Sequence, residues 1–260
     1  MTAPVGDPSN RTATGSDGGG FGWNRDIPRH HGRRRPLFTP NDDQQAFIDA
    51  VDRAIVPLQR PPGTGKRRGA TAPALLARAY ARSEHGESFV GVVVAPSHEA
   101  VDTVLKGVVA CLDNWRTATN GLSTLQLVRV LPSPPPTGEA RVDADAADVA
   151  VTYANYHSSE DETTLQAVAQ EAFEATAADD SPEQCLVFAT PATLYRTLGI
   201  VAEALSTIDG DTTPAAMRHP DGLADVVCVD EASMLDLPQL LLAGSVLTPT
   251  GQTLLVGDHR

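Results

Sequence analysis

Two stretches of this 260-residue chain carry side chains suited to a nucleoside triphosphate. The first is LQRPPGTGKRRGAT, Leu58–Thr71. Gly63 and Gly65 permit a loop whose backbone N–H groups wrap a β-phosphate, and Lys66 would reach the β/γ oxygens. The second is VVCVDEA, in which Asp230 and Glu231 follow an apolar run. An aspartate there is suited to hold Mg²⁺, and an adjacent glutamate to orient and deprotonate an attacking water. The loop departs from its usual pattern twice. Arg60 stands where the first glycine belongs, and Arg67 where a Ser/Thr hydroxyl would ligate Mg²⁺. A guanidinium has no lone pair to give, and Thr71 lies a helical turn further on. The expectation is weakened nucleotide binding, with Arg67 partly taking the metal's charge role, and very slow Mg²⁺-dependent hydrolysis. Two other readings of the arginines stand beside it: decay of a truncated gene copy, and a general phosphate grip.

Such groups converge only if strands and helices bring them to one rim. IVPLQ leads into the loop, although Pro57 weakens it as a central strand because proline cannot donate to the ladder. FVGVVVA (Phe89–Ala95) is apolar on both faces, as a buried parallel strand is. CLVFAT, ADVVCV and QTLLVG read as further strands. Between them, TAPALLARAYARS, HEAVDTVLKGVVACLDNW, ATLYRTLGIVAEAL and LPQLLLAGSVL read as helices. NDDQQAFIDAVDRAI starts a helix capped by Asn41 or Asp42, with Ala46, Phe47, Ala50, Val51 and Ile55 at helical spacing. The alternation predicts an α/β fold, a P-loop NTPase (RecA-like) parallel sheet flanked by helices. Residues 1–36, rich in Gly, Ser, Asp and Pro, read as disordered and carry a short basic patch, Arg29–Pro36. Residues 37–260 form the expected domain, with an inserted subdomain at about 131–182. Within that insert a helix would present Leu165, Val168, Ala169, Ala172 and Phe173 on one face.

Read together, the motifs resemble superfamily 1 helicases, in the DEAxQ branch that includes the nonsense-mediated-decay RNA helicase and its DNA-acting relatives. NDDQ resembles the family's Q motif, which implies that Gln44 contacts adenine. PPGTGK is similar to the core of its phosphate loop, implying nucleotide contacts from Pro62, Gly63, Thr64, Gly65, Lys66 and Arg67. VVVAPSHEAVD resembles motif Ia, which implies that Pro96, Ser97 and His98 face the nucleic-acid backbone. FATPATL resembles the next backbone-contacting segment, carrying Thr190 and Thr193. VDEASM resembles motif II, with Asp230 as the metal ligand and Lys66, Asp230 and Glu231 as the catalytic set. LLVGDHR resembles motif III, with Asp258 coupling the γ-phosphate to the strand site. The resemblance implies ATP and Mg²⁺ as cofactors and single-stranded DNA or RNA as partner. Departures are His98 for the usual Asn and Met234 for the usual Gln. The chain stops inside motif III, so the resemblance covers the first RecA-like domain only. A separate chain would have to supply the second, with its arginine finger, whose loss typically costs on the order of 10³ in rate. Two alternatives remain: a non-catalytic nucleotide-binding or scaffold module completed by a partner chain, and another P-loop NTPase.

Bulk composition narrows the class further. Twenty-two Asp and 11 Glu face 18 Arg and two Lys, Lys66 and Lys106, for a net charge of −13. An acidic, lysine-poor surface points to a high-salt organism such as a halophilic archaeon, where screening blunts self-repulsion. GC-rich codon usage gives the same bias and both can hold. Against an acidic chain at molar salt, phosphate contacts lose their counterion advantage, so strand binding would lean on neutral donors such as Ser97, Thr190 and Thr193. Cys111, Cys185 and Cys228 lie far apart, which argues against disulfides or a zinc site. No apolar run reaches membrane-spanning length, so a cytoplasmic location is expected.

Overall fold

The computed structural model describes residues 40–59, 67–119, 121–132, 149–155, 184–198 and 222–258. Their strands are β1 (Ile55–Gln59), β2 (Phe89–Val94), β3 (Leu125–Leu131), β4 (Thr152–Asn155), β5 (Gln184–Ala189), β6 (Ala224–Val229) and β7 (Leu247–Gly257). They form one sheet in the order β1-β7-β6-β2-β5-β3-β4. All six pairings are parallel. The helices are α1 (Asp42–Asp49), α2 (Ala72–Glu84), α3 (His98–Thr119), α4 (191–198) and α5 (Leu237–Gly244). This is the expected α/β, RecA-like architecture.

Parallel strands need crossovers, and the crossovers cover both faces. Successive residues of β2 therefore serve two cores. Phe89 and Val93 pack with Leu75 and Leu76 of α2 and with Val101, Leu105 and Leu112 of α3. Val90, Val92 and Val94 pack on the other face, with Leu194 of α4 and Ala243 of α5. Because both faces are buried, FVGVVV carries no polar alternation.

Pro57 finds its place through position. Among the described residues β1 is a sheet edge, hydrogen-bonded to β7 alone, with Pro57 level with Leu255. A residue without an N–H is tolerated where one side of the strand has no neighbour. Only Val56 and Leu58 of β1 are buried, and Ile55 is 59% exposed.

The first helix is shorter than its apolar spacing predicts. Asn41 caps it in a capping box with Gln44, the arrangement in which cap and third residue satisfy each other's N–H. It ends at Asp49, leaving Val51 63% exposed and Ile55 in β1. Tertiary contacts stop it. The Ala50 carbonyl accepts from Arg78 (2.9 Å) and from Gln252 Nε2 (2.8 Å), so it is held by α2 and β7 instead of a fifth helical residue.

Within the stretch read as an insert, Thr152–Asn155 form β4 and pair with β3 at the far edge of the same sheet. The predicted helix carrying Leu165 and Phe173 lies outside the described residues, as do residues 1–36 and the basic patch.

Candidate nucleotide site and strand-facing loops

The carboxyl ends of β1, β7 and β6 are neighbours. Pro57, Leu255 and Val229 share one row across the three strands. Asp230 therefore stands at the height of Leu58, two strands away, or about 10 Å at ordinary strand spacing. The glycine loop leaves β1 at this rim, just beyond Gln59. It rejoins the described structure at Arg67, in a π-helical turn, Arg67–Thr71, that runs directly into α2. Such turns occur mostly as single insertions and recur at functional sites. Pro62, Gly63, Thr64, Gly65 and Lys66 lie outside the described residues, as do Arg60 and the side chain of Arg67.

Asp230 is 1% exposed and its N–H donates to the Val94 carbonyl at 2.8 Å, which extends the β6–β2 ladder up to the acid. Glu231 then turns the chain, with φ 54° and ψ 37°. A non-glycine residue in this left-handed region is strained by roughly 1 kcal/mol or more, and such strain clusters at functional sites. Met234 closes the turn by donating to the Glu231 carbonyl at 2.8 Å. A short 3₁₀ turn, Ala232–Met234, leads to the Asp236 cap of α5. Gly257 lies against that turn: a Cβ there would sit 3.5 Å from Ser233 N. The end of β7, and with it Asp258, is thus brought beside the Glu231 turn. Two residues upstream of Asp230, burial first and the aspartate second push the Cys228 thiol far up, so it stays protonated and inert.

Whether this rim suits Mg²⁺ can be judged from its donors. Among the described residues no group of three His, Cys, Asp or Glu could cage a metal. Mg²⁺ does not require one, since it binds through one or two carboxylates, phosphate oxygens and waters. The missing element is the loop hydroxyl. Thr71 is fully buried, and its Oγ1 meets no hydrogen-bond partner among the described residues. It cannot serve as a donor at the rim while walled in.

Gln44 is also fully buried. Its Oε1 accepts from Asn41 N–H at 3.0 Å, which fixes the side chain as part of the α1 cap. Ser97 caps α3, with Oγ accepting from Ala100 N–H at 3.2 Å. Thr190 and Thr193 face each other at the start of α4. Thr190 N–H donates to Thr193 Oγ1 at 2.7 Å, and the two hydroxyl oxygens are 3.0 Å apart. With exposures of 6% and 2%, both hydroxyls are engaged in the turn. All three residues thus build the loops that follow β2 and β5, which lie beside each other in the sheet.

Sequence reasoning missed two arginines. Arg129 in β3 is fully buried and bonds to Asp102 Oδ1 (2.6 Å), His98 Nδ1 (3.0 Å) and carbonyls of β3 and β5. Arg78 in α2 bonds to Gln252 Oε1 and to the carbonyls of Ile48, Ala74 and Ala50. Burial lowers its pKa to about 10, still cationic at neutral pH. The available signal was a cation inside an otherwise apolar run, LQLVRVL and ALLARAY.

No family model matches the chain, and no curated protein does. Among solved structures it is similar to a nuclease-deletion mutant of the Type ISP restriction-modification enzyme LlaGI in complex with a DNA substrate mimic. Identity is 16%, the TM-score 0.45, and the match spans 84% of this chain but 17% of that one. A likeness of this size carries no argument about activity.

Proposed function

We propose that the chain is the ATP-binding, first RecA-like domain of a superfamily 1 DNA or RNA helicase. The observation that carries this reading is the buried Asp230 at the carboxyl end of β6, two strands from the strand that feeds the glycine loop. Six motifs in family order support it, three of them at the ends of strands on that rim.

In this reading Gly63 and Gly65 let backbone N–H groups cradle the β-phosphate, and Lys66 neutralises the β/γ oxygens. Asp230 and phosphate oxygens would hold Mg²⁺, which when bound would offset developing charge on the γ-phosphoryl group. Glu231 orients the attacking water and takes its proton. Arg67 removes one metal ligand, so this chain binds ATP and turns it over very slowly. Single-stranded nucleic acid would lie across the loops after β2 and β5.

Restoring Arg60→Gly and Arg67→Thr tests the loop argument. The double variant should raise steady-state ATP turnover at least tenfold over wild type. Unchanged turnover with intact ATP binding would refute the metal-ligand argument.

A second reading is a nucleotide-binding module completed by a partner chain. It is favoured by exposed Met234 at the end of the Glu231 turn and exposed Leu237 and Leu241, one helical turn apart on α5.

A further inference from the structure

The loop that follows β2 is held by one guanidinium. Arg129 offers five N–H donors and no acceptor. All five have a partner. Nε donates to Asp102 Oδ1 at 2.6 Å, and Nη1 to the carbonyls of Val130 (2.7 Å) and Phe188 (3.3 Å). Nη2 donates to His98 Nδ1 at 3.0 Å and to the His98 carbonyl at 3.3 Å. One side chain thus ties the first turn of α3 to β3 and to β5.

That geometry selects the state of His98. A guanidinium can only donate, so Nδ1 must accept and the imidazole must be neutral with its proton on Nε2. The Nε2–H finds no acceptor among the described residues, and the ring is half-buried at the start of α3. The charged groups facing it are Arg129 from β3 and Asp102 from the next turn of α3. From β5 it meets the Phe188 carbonyl only through Arg129.

We infer that Arg129 is a positioning residue that locks His98 as a neutral Nε2–H donor, so that acidification, which turns this bond into a repulsion and drives the ring from its place, loses the strand contact made by this loop. Protonating Nδ1 would replace a hydrogen bond by two facing cations. In keeping with this, burial and then Arg129 hold the His98 pKa below its ordinary value, against the opposing pull of Asp102. An uncharged donor also suits a protein of net charge −13, because its contact with a phosphate or sugar oxygen does not depend on counterion release. The strand-contact half of the inference rests on the helicase reading; the lock itself does not.

The test uses the full chain labelled with ¹⁵N-histidine, with the His98 signals assigned through His98→Asn. Wild type should show the Nε2–H tautomer and a titration midpoint below 6.5. In Arg129→Lys the midpoint should move back toward 6.5 and both tautomers should appear. Should that variant fail to fold, the wild-type spectrum decides alone: an Nδ1–H tautomer or an unshifted midpoint overturns the lock. Fluorescence anisotropy with a labelled dT or U oligonucleotide reads the second half. Affinity should fall by up to about tenfold per pH unit below the midpoint. His98→Asn places a non-titrating amide oxygen where Arg129 needs an acceptor, and its own protonation-linked loss should vanish. An equal pH dependence in His98→Asn overturns the strand-contact claim. The lock without oligonucleotide binding at any pH would instead overturn the helicase reading.

Discussion

At the residue scale, His98 also sets a pH term in stability. Its folded-state pKa is lowered, so the folded protein binds fewer protons than the unfolded chain once pH falls below the unfolded value of about 6.5. Above that value both states are neutral and His98 contributes no pH dependence. Stability is lost as pH drops from about 6.5 to the folded midpoint, and the loss then levels off. Between pH 8 and 6.5 the denaturant midpoints of wild type and His98→Asn should keep a fixed difference, and below about 6.5 the wild-type midpoint should fall relative to that of His98→Asn. A constant difference across the range would show that folding does not shift the His98 pKa. Glu231 is the second residue whose conformation carries meaning. A left-handed glutamate immediately after a buried aspartate places strain where the resemblance implies the water-orienting carboxylate.

At the scale of elements, Arg78 anchors α1, the helix that carries Gln44. It sits under the end of that helix, where orphan carbonyls need donors and where a cation opposes the negative end of the helix dipole. It bonds to the Ile48 and Ala50 carbonyls there and, with Gln252, joins α1 to α2 and β7. Arg78→Met keeps much of the packing but leaves several buried acceptors short of donors. It should lower unfolding free energy by about 2–4 kcal/mol in urea titrations. Hydrogen exchange should quicken first in α1. A loss under about 1 kcal/mol would mean that water replaces the guanidinium.

Across the whole molecule, the sheet was legible because its strands are apolar on both faces, and FVGVVV or VVCV admits few other readings. The Asp230 rim followed from where those strands end. Less was visible where one residue's partner is remote in sequence. Arg129 lies 27 residues from Asp102 and 59 from Phe188, and in a list of residues it reads only as a break in LQLVRVL. The truncation of α1 was hidden for the same reason, since Gln252 lies 202 residues from Ala50. The Thr-x-x-Thr spacing of Thr190 and Thr193 also makes a cap, and that local role is not visible in a list of neutral donors. The short β4 carries too few residues for a periodicity to register.

The central claim is that the glycine loop and the acid at the end of β6 form one triphosphate pocket. Titration calorimetry with ATP, with and without Mg²⁺, tests it on wild type, Lys66→Ala and Asp230→Asn. Wild type should bind ATP, Lys66→Ala should weaken binding about tenfold or more, and Asp230→Asn should abolish whatever tightening Mg²⁺ gives. Equal affinity in wild type and Lys66→Ala, or no ATP binding by the folded wild-type chain, would contradict it.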